Sequence, residues 1–293
     1  MLFTIFYISS VWMLQTHINP RDHLLKNLAL LHADDATGNA VFGDSHSAFN
    51  YAVSGEFLNL AFPSENLQDI EKRINIYYTN KKCGDVILQA DPHLFSEYRI
   101  NAGVKDYFDS SPGGYIISKY HRPKLPRYWK VFFQGGMNST VFMPDDAVNV
   151  KIKFHDSGWQ EVFNDFSQVS EAERLRISSE RAANHKPVSM ALSKKSYALY
   201  DRILSQLVTK SCNICMVTSP VSNDYLRQSE KYHEFKQSLD YFRLMAEKHN
   251  VRYLNQFKYF GDDKYLKYFH DEDHLNGFGA KIFSDETIKT CFN

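Results

Sequence analysis

Short apolar runs that alternate with stretches of helical spacing constrain this chain more than any other feature. Runs such as 40–42 (AVF), 57–62 (FLNLAF), 85–90 (DVILQA) and 214–218 (ICMVT) are too short for buried helices. Apolar runs of about 4–8 residues bounded by turn residues read as strands covered on both faces, as in parallel sheets. Residues 251–254 read as a fifth strand. Helical patterns lie between the strands, in a short segment after 43–46 that ends near 53 and at 66–80, 171–185, 194–210, 229–250 and 277–288. This alternation predicts an α/β fold on a parallel sheet.

Between 95 and 170 the alternation breaks. That stretch is rich in Tyr, Phe, Gly and Pro, for example PGGY at 112–115 and RPKLPRYW at 122–129. A structureless loop of this length is uncommon in a compact domain, so 95–170 is expected to be an insertion after the third strand with structure of its own. With 293 residues the chain needs no disulfide or metal staple, since it can bury roughly 75% of its unfolded surface. Lys+Arg and Asp+Glu both number 34, which argues against a nucleic-acid partner, because such proteins carry a basic excess. A charged fraction of 23% excludes a polytopic membrane protein, and a hydrophobic fraction of 43% excludes a disordered chain.

Residues 1–14 (MLFTIFYISSVWML) hold 11 apolar residues and no charge. As a helix they would span roughly 21 Å, short of the ~30 Å hydrocarbon core. They lack a basic leader and an Ala-x-Ala-like cleavage site. Residues 1–20 are therefore expected to be what remains of a signal anchor, read from a start codon placed too far downstream. The alternative is a buried apolar segment. Four cysteines are too few for a disulfide scaffold. Cys212 and Cys215 form a C-x-x-C that leads into a strand instead of opening a helix, so structural cysteines are expected there rather than a zinc or redox site.

Two short motifs carry chemistry. Gly43-Asp44-Ser45 closes the first strand, at the carboxyl edge where open α/β sheets bind ligands. Gly43 permits the tight turn, and the helix that follows aims its positive end at Ser45, which favours a developing oxyanion. Asp271-Glu272-Asp273-His274-Leu275-Asn276 precedes the last helix. A serine hydroxyl needs a neighbouring base, and the base needs an orienting carboxylate. Asp271 can curl back across a turn to His274. Alternation along an extended loop would turn Asp273 away from the ring and leave Glu272 solvated. Taken alone, each motif is also explained by a capping turn. His46 reads as a packing residue and His270 as an outer support. No zincin, Walker or dinucleotide motif occurs, and neither a metal nor a cofactor is expected.

Together the motifs resemble the SGNH/GDSL hydrolase-like superfamily over residues 38–293. Gly43-Asp44-Ser45 matches its nucleophile block, and Asp271-x-x-His274 matches its last block. Asn59-Leu60-Ala61, Ser219-Pro220 and His274-Leu275-Asn276-x-x-Gly279-Ala280 look most like the membrane-anchored, extracytoplasmic branch, which includes the D-alanyl-transfer protein of teichoic acid synthesis and the alginate O-acetylation proteins. The resemblance implies a flavodoxin-like three-layer sandwich with five parallel strands. It assigns Ser45 as nucleophile, His274 as base and Asp271 as orienter. It also makes the third and fourth strands neighbours, so that Cys83 and Cys212 could be bridged if their Cα atoms lie within about 7 Å.

The implied function is a serine-dependent esterase or O-acyltransferase, of acetyl groups in the first instance, working through an acyl-enzyme. Its substrate would be an acylated cell-surface or extracellular glycan, with a membrane-bound acyl donor as partner and an extracytoplasmic location. The rival class is a glycan-binding or assembly component that keeps the fold without turnover. Two blocks depart from the pattern. Pro63-Ser64-Glu65-Asn66 stands where a glycine N–H usually serves the oxyanion, which leaves the backbone of Ser64 for that role. Gln89-Ala90-Asp91-Pro92 stands where an Asn amide is usual, and losing one such donor typically costs about 10²–10³ in rate. Either Asp91 points elsewhere, or His93 or Arg99 substitutes, or activity is low.

Overall fold

The computed structural model describes residues 2–14, 16, 22–34, 36–109, 125–133 and 152–293. In chain order the helices and strands are α1 (Leu2–Met13), α2 (His23–His32), β1 (Asn39–Phe42), α3 (Ser45–Asn50), β2 (Phe57–Asn59), α4 (Leu67–Tyr77), β3 (Asp85–Gln89) and α5 (Glu97–Ile100). Then come α6 (Leu125–Phe133), β4 (Ile152–Phe154), β5 (Gln160–Val162), α7 (Glu171–His185), α8 (Lys194–Thr209) and β6 (Asn213–Thr218). The chain ends with α9 (Asn223–Ser229), α10 (His233–His249), β7 (Arg252–Asn255) and α11 (Gly277–Phe292).

The chain divides into two compact units. One comprises 1–33 and 105–150, the other 34–104 and 151–293. Residues 95–104 and 151–170, within the stretch expected as an insertion, thus belong to the unit that carries the sheet. Residues 110–124 and 134–151, with the Pro-Gly-Gly-Tyr at 112–115, lie outside the described residues.

In the first unit, Met13 and Leu14 pack with Leu125 and Tyr128, and Trp129 donates from its indole Nε1 to Ser10 Oγ at 3.0 Å. Helix α1 exposes Ile5, Phe6, Ile8 and Trp12. Among the described residues no helix is long and apolar enough to cross a membrane.

The second unit is an α/β domain on a five-stranded, all-parallel sheet of order β2-β1-β3-β6-β7. Counted within the sheet this is 2-1-3-4-5, the flavodoxin-like order that was expected. Alternation of side chains explains how both faces fill. Val41, Ile87 and Cys215 are in register across β1, β3 and β6. With Val217 they pack against Trp159, Phe166, Phe269, Leu275 and Phe283. The next register row, Phe42, Leu88 and Met216, is equally buried and points the other way, where Phe42 meets Tyr77 and Tyr78 at ring-centroid distances of 6.1 and 5.8 Å.

Two differences from the sequence reading have local causes. The helix expected over 229–250 starts late: Ser229 is the last residue of the separate α9, whose cap is Ser222, residues 230–232 form a turn, and α10 runs from His233 to His249. The last helix runs beyond 288 because its end is pinned, by a Cys215–Cys291 disulfide and by Phe292 against Phe57 at 5.7 Å. Cys83 and Cys212 are also bridged, with Cα atoms 5.0 Å apart. The C-x-x-C pair is therefore split between two disulfides, which close loops of 129 and 76 residues. Non-reducing peptide mapping should recover these two pairings. A Cys215→Ser/Cys291→Ser double variant should lose about 2–5 kcal/mol in denaturant unfolding, the usual cost of removing a native bridge.

Candidate active site

The site lies at the carboxyl edge of the sheet, in the second unit, and begins with the turn after β1. A Cβ on Gly43 would stand 2.2 Å from Gln89 Oε1 and 2.4 Å from Ser47 Oγ, so no larger residue fits without displacing that glutamine. Gln89, at the end of β3, accepts from Asp44 N at 2.6 Å and donates through Nε2 to Asp44 Oδ1 at 2.9 Å. Asp44 caps α3 by accepting from His46 N at 3.1 Å, which places Ser45 at the first helical position. Asn59 closes the far end of this short helix, donating to the carbonyls of Ser47 and Tyr51 at 2.9 and 3.1 Å.

The loop that carries His274 is tied to the same helix. Asn50 Oδ1 accepts from Leu275 N at 2.8 Å, and Ser284 Oγ on α11 donates to Asn50 O at 3.1 Å. The loop is closed by His270 N donating to His274 O at 2.8 Å and by Asn276, whose side chain caps α11. These anchors bring the expected triad into line. Ser45 Oγ lies 2.9 Å from His274 Nε2, and His274 Nδ1 lies 2.9 Å from both Asp271 oxygens. Ser45 is half-buried, so its hydroxyl is within reach of solvent. A hydroxyl on one imidazole nitrogen and a carboxylate on the other is the geometry of a serine nucleophile with an oriented base.

The three neighbouring acids differ from the sequence reading. Asp273 does not turn away from the ring: it is fully buried, with Oδ1 3.1 Å from His274 Nδ1. Glu272 is not solvated but buried, and its carboxylate accepts from Arg181 on α7. The alternation rule fails here because 271–274 is a tight turn rather than an extended segment. Asp271 Oδ1 accepts from the backbone N–H of both Asp273 and His274, a side-chain turn of the kind Asp favours.

Behind the triad is a set of buried groups whose convergence the sequence did not reveal: His46, Asp91, His93 and Arg99 stand out there singly, and His185 not at all. His46 is 3% exposed, with Nδ1 2.9 Å from Asp91 Oδ2 and Nε2 3.3 Å from Asp273 Oδ2. His185 Nδ1 lies 3.1 Å from Asp273 Oδ2 and 3.1 Å from the Tyr225 hydroxyl. His93 stacks on His185 and donates through Nε2 to Asp44 Oδ2 at 2.8 Å, and Arg99 joins it on the same oxygen. Asp91 is 2% exposed, and its oxygens accept from Ser219 N at 2.6 Å and Gln89 Nε2 at 2.8 Å besides facing His46. A contact from Asp91 to substrate or oxyanion is therefore not part of this arrangement. His93 and Arg99 converge on Asp44 and likewise do not replace the missing amide. Ser64 is exposed on the loop after β2 with φ of 67°, a left-handed backbone that glycine adopts without strain.

Donor atoms of His46, His93 and His185 lie within 4.8 Å of one another, as do those of His46, Asp273 and His274. Each group already faces other members of the network, so we read the cluster as hydrogen bonds and ion pairs. Its charges follow from these contacts. Burial raises Asp44, but His93, Arg99 and His46 outweigh that and hold it well below its ordinary value. Burial lowers His46, yet Asp91 and Asp273 bring it up to about 9. Burial pushes His185 down to about 3 despite Asp273. Burial, helped by the charges of Asp273 and Asp271, pushes Glu272 up to about 7 against the pull of Arg181.

No family model and no curated protein matches the chain. Among solved structures it is similar to the lipase/acylhydrolase from Enterococcus faecalis, with 10% identity over 86% of this chain and 94% of that one, at a TM-score of 0.42.

Asp44→Ala would leave Arg99 buried without its carboxylate. It should cost about 3–5 kcal/mol in urea unfolding, the range for breaking a buried pair. Because the folded-state value of Asp44 lies below the ordinary 3.8, its contribution is present above that pH and is lost as the pH falls towards the folded-state value. Asp44→Asn should therefore flatten the acid side of the stability profile.

Proposed function

We propose that this chain is a serine-dependent ester hydrolase or acyltransferase of SGNH type. The observation that carries the reading is the hydrogen-bonded line from Ser45 through His274 to Asp271, each contact 2.9 Å long. Ser45 Oγ attacks an acyl carbonyl while His274 Nε2 takes its proton, and Asp271 stabilises the resulting imidazolium. The tetrahedral adduct collapses as the imidazolium returns that proton to the departing alcohol. Water or an acceptor hydroxyl then attacks the acyl-serine by the reverse sequence. A sugar hydroxyl as acceptor and an acylated cell-surface or extracellular glycan as substrate follow from the motif resemblance, as does a membrane-bound acyl donor.

An extracytoplasmic location belongs to the same proposal. It draws support from the two disulfides, which engage all four cysteines and suit an oxidising compartment. The uncharged α1, with its exposed Ile5, Phe6, Ile8 and Trp12, is the proposed membrane contact. A second reading, a glycan-binding component without turnover, is favoured by one observation: Asp91 stands in place of an oxyanion donor and faces inward.

A serine-directed phosphonate separates the two readings, because only a working nucleophile–base pair becomes labelled. Ser45→Ala should abolish labelling and ester turnover and leave the melting temperature within a few degrees, since a half-exposed hydroxyl contributes little packing. Retained turnover in that variant would remove the hydrolase reading. Asp271→Asn should lower turnover far more than Glu272→Gln, whose carboxylate faces Arg181 rather than the imidazole.

A further inference from the structure

Asp273 poses an electrostatic problem for the proposed base. It is a fully buried carboxylate, and neither of its oxygens makes an aligned hydrogen bond. Such a group must be offset by nearby positive charge, or burying its charge becomes very costly. Four cationic candidates face it: His274 at 3.1 Å, His185 at 3.1 Å, His46 at 3.3 Å and, through its charge, Arg181. Burial lowers His274, but Asp271 and Asp273 outweigh that and hold it well above the ordinary imidazole value; a base that also carried the full compensating charge would rest as an imidazolium and could not accept the Ser45 proton. His185 is as buried as His46 but faces a single carboxylate, its Nδ1 being shared between Asp273 and the Tyr225 hydroxyl, and its ring lies between those of His93 and Tyr98, so burial outweighs that one partner. That leaves His46 and Arg181.

The surroundings of His46 identify it as the cation at the centre of the cluster. Both of its ring nitrogens face carboxylate oxygens, Asp91 at 2.9 Å and Asp273 at 3.3 Å, and only the doubly protonated ring carries a proton on each nitrogen. His274 differs, because its Nε2 faces a hydroxyl that can itself donate. The other charged or titratable groups around the cluster are Asp44 and Arg99 beside His93, Asp271 beside His274, Glu272 beside Arg181, His270 beside Asp271, and Tyr98 and Tyr225 around His185.

We propose that His46 is a charge-compensating positioning residue: an imidazolium shared between Asp91 and Asp273 that offsets part of the charge Asp273 presents to His274 and so lowers the proton affinity of that base. The proposal rests on the hydrolase reading of Ser45 and His274. It explains why two acids can stand beside one imidazole nitrogen without disabling the base. Arg181, half exposed on α7, adds to the compensation from the solvent side.

The test is the acid limb of the kcat/KM pH profile, which reports the base in the free enzyme. His46→Gln removes the positive charge, so His274 should hold its proton to higher pH and the limb should move up by about one unit, the lower end of what a charge at this range produces. Asp273→Asn should move it down by a similar amount, and the double variant should return it close to its original position. Lower turnover with an unmoved limb in both single variants would make His46 and Asp273 merely structural and overturn the proposal. Should the variants fail to fold, ¹⁵N-histidine NMR on the unmodified protein decides instead. Both His46 ring nitrogens should remain protonated to pH 8, with His274 losing its proton at a lower pH than His46. A neutral His46 at pH 7 overturns the proposal. Because the NMR readout needs no turnover, failure of the hydrolase reading and failure of this one are distinguishable.

Discussion

The Asp44 carboxylate holds the functional edge of the sheet together. One oxygen takes the Gln89 amide from β3 and the His46 N–H that opens α3, and the other takes His93 and Arg99 from the segment after β3. A single buried charge thus sets the end of β1, the start of α3 and the path of the chain beyond β3. The absence of a side chain at Gly43 is part of the same constraint, since Gln89 reaches Asp44 through the space a Cβ would fill. Charge-assisted hydrogen bonds of this kind are shorter and stronger than neutral ones, and in a dry setting they fix geometry as well as energy.

From that anchor the triad is assembled by backbone contacts more than by its own side chains. Asn50 holds Leu275, the residue next to His274, and Ser284 of α11 holds Asn50. Ser45 and His274 are 229 residues apart in sequence, yet both hang on one six-residue helix. The Cys215–Cys291 bridge, lying in the same apolar cluster as Leu275 and Phe283, fixes the other end of α11 to the sheet. Positioning of this precision by a surrounding shell is what a near-attack geometry requires.

How much of this could be read from the sequence depends on how local each signal was. The inner strands were legible because parallel sheet buries both their faces and makes them continuous apolar runs, whereas the edge strand β7 (Arg252–Asn255) is only half-buried; four of the five fall within a residue or two of their expected bounds. β2 is shorter than the run 57–62, although Leu60 still donates to the Val41 carbonyl of β1 and Phe62 to that of Gly43 just beyond it. Ser45, His274 and Asp271 sit in compact motifs with a stated chemistry. The buried shell had no such signature: His46, Asp91, His185 and Asp273 are spread across the chain, and only the folded sheet edge brings them together. Asp273 and Glu272 were misplaced for a narrower reason, that a two-residue alternation was applied to a turn. The Cys215–Cys291 pairing was equally invisible, since a C-x-x-C suggests one local unit, and here each cysteine pairs with a distant partner.

The buried shell also bears on why so many charges sit where apolar side chains would serve folding better. Replacing a buried ionic group by well-packed apolar residues is often neutral or stabilising, so Asp44, Asp91, Asp271 and Asp273 are not explained by stability alone. Their distribution follows the requirements of the proposed base. In that proposal Asp271 orients the ring, Asp91 and Asp273 favour the charged form of His46, and Asp44 takes the Arg99 cation so that it does not face His274. Positive and negative groups alternate outward from the imidazole, and each layer is set by the next. A base at this position keeps a useful proton affinity only while that alternation holds, which makes its strength a property of the network rather than of any one pair.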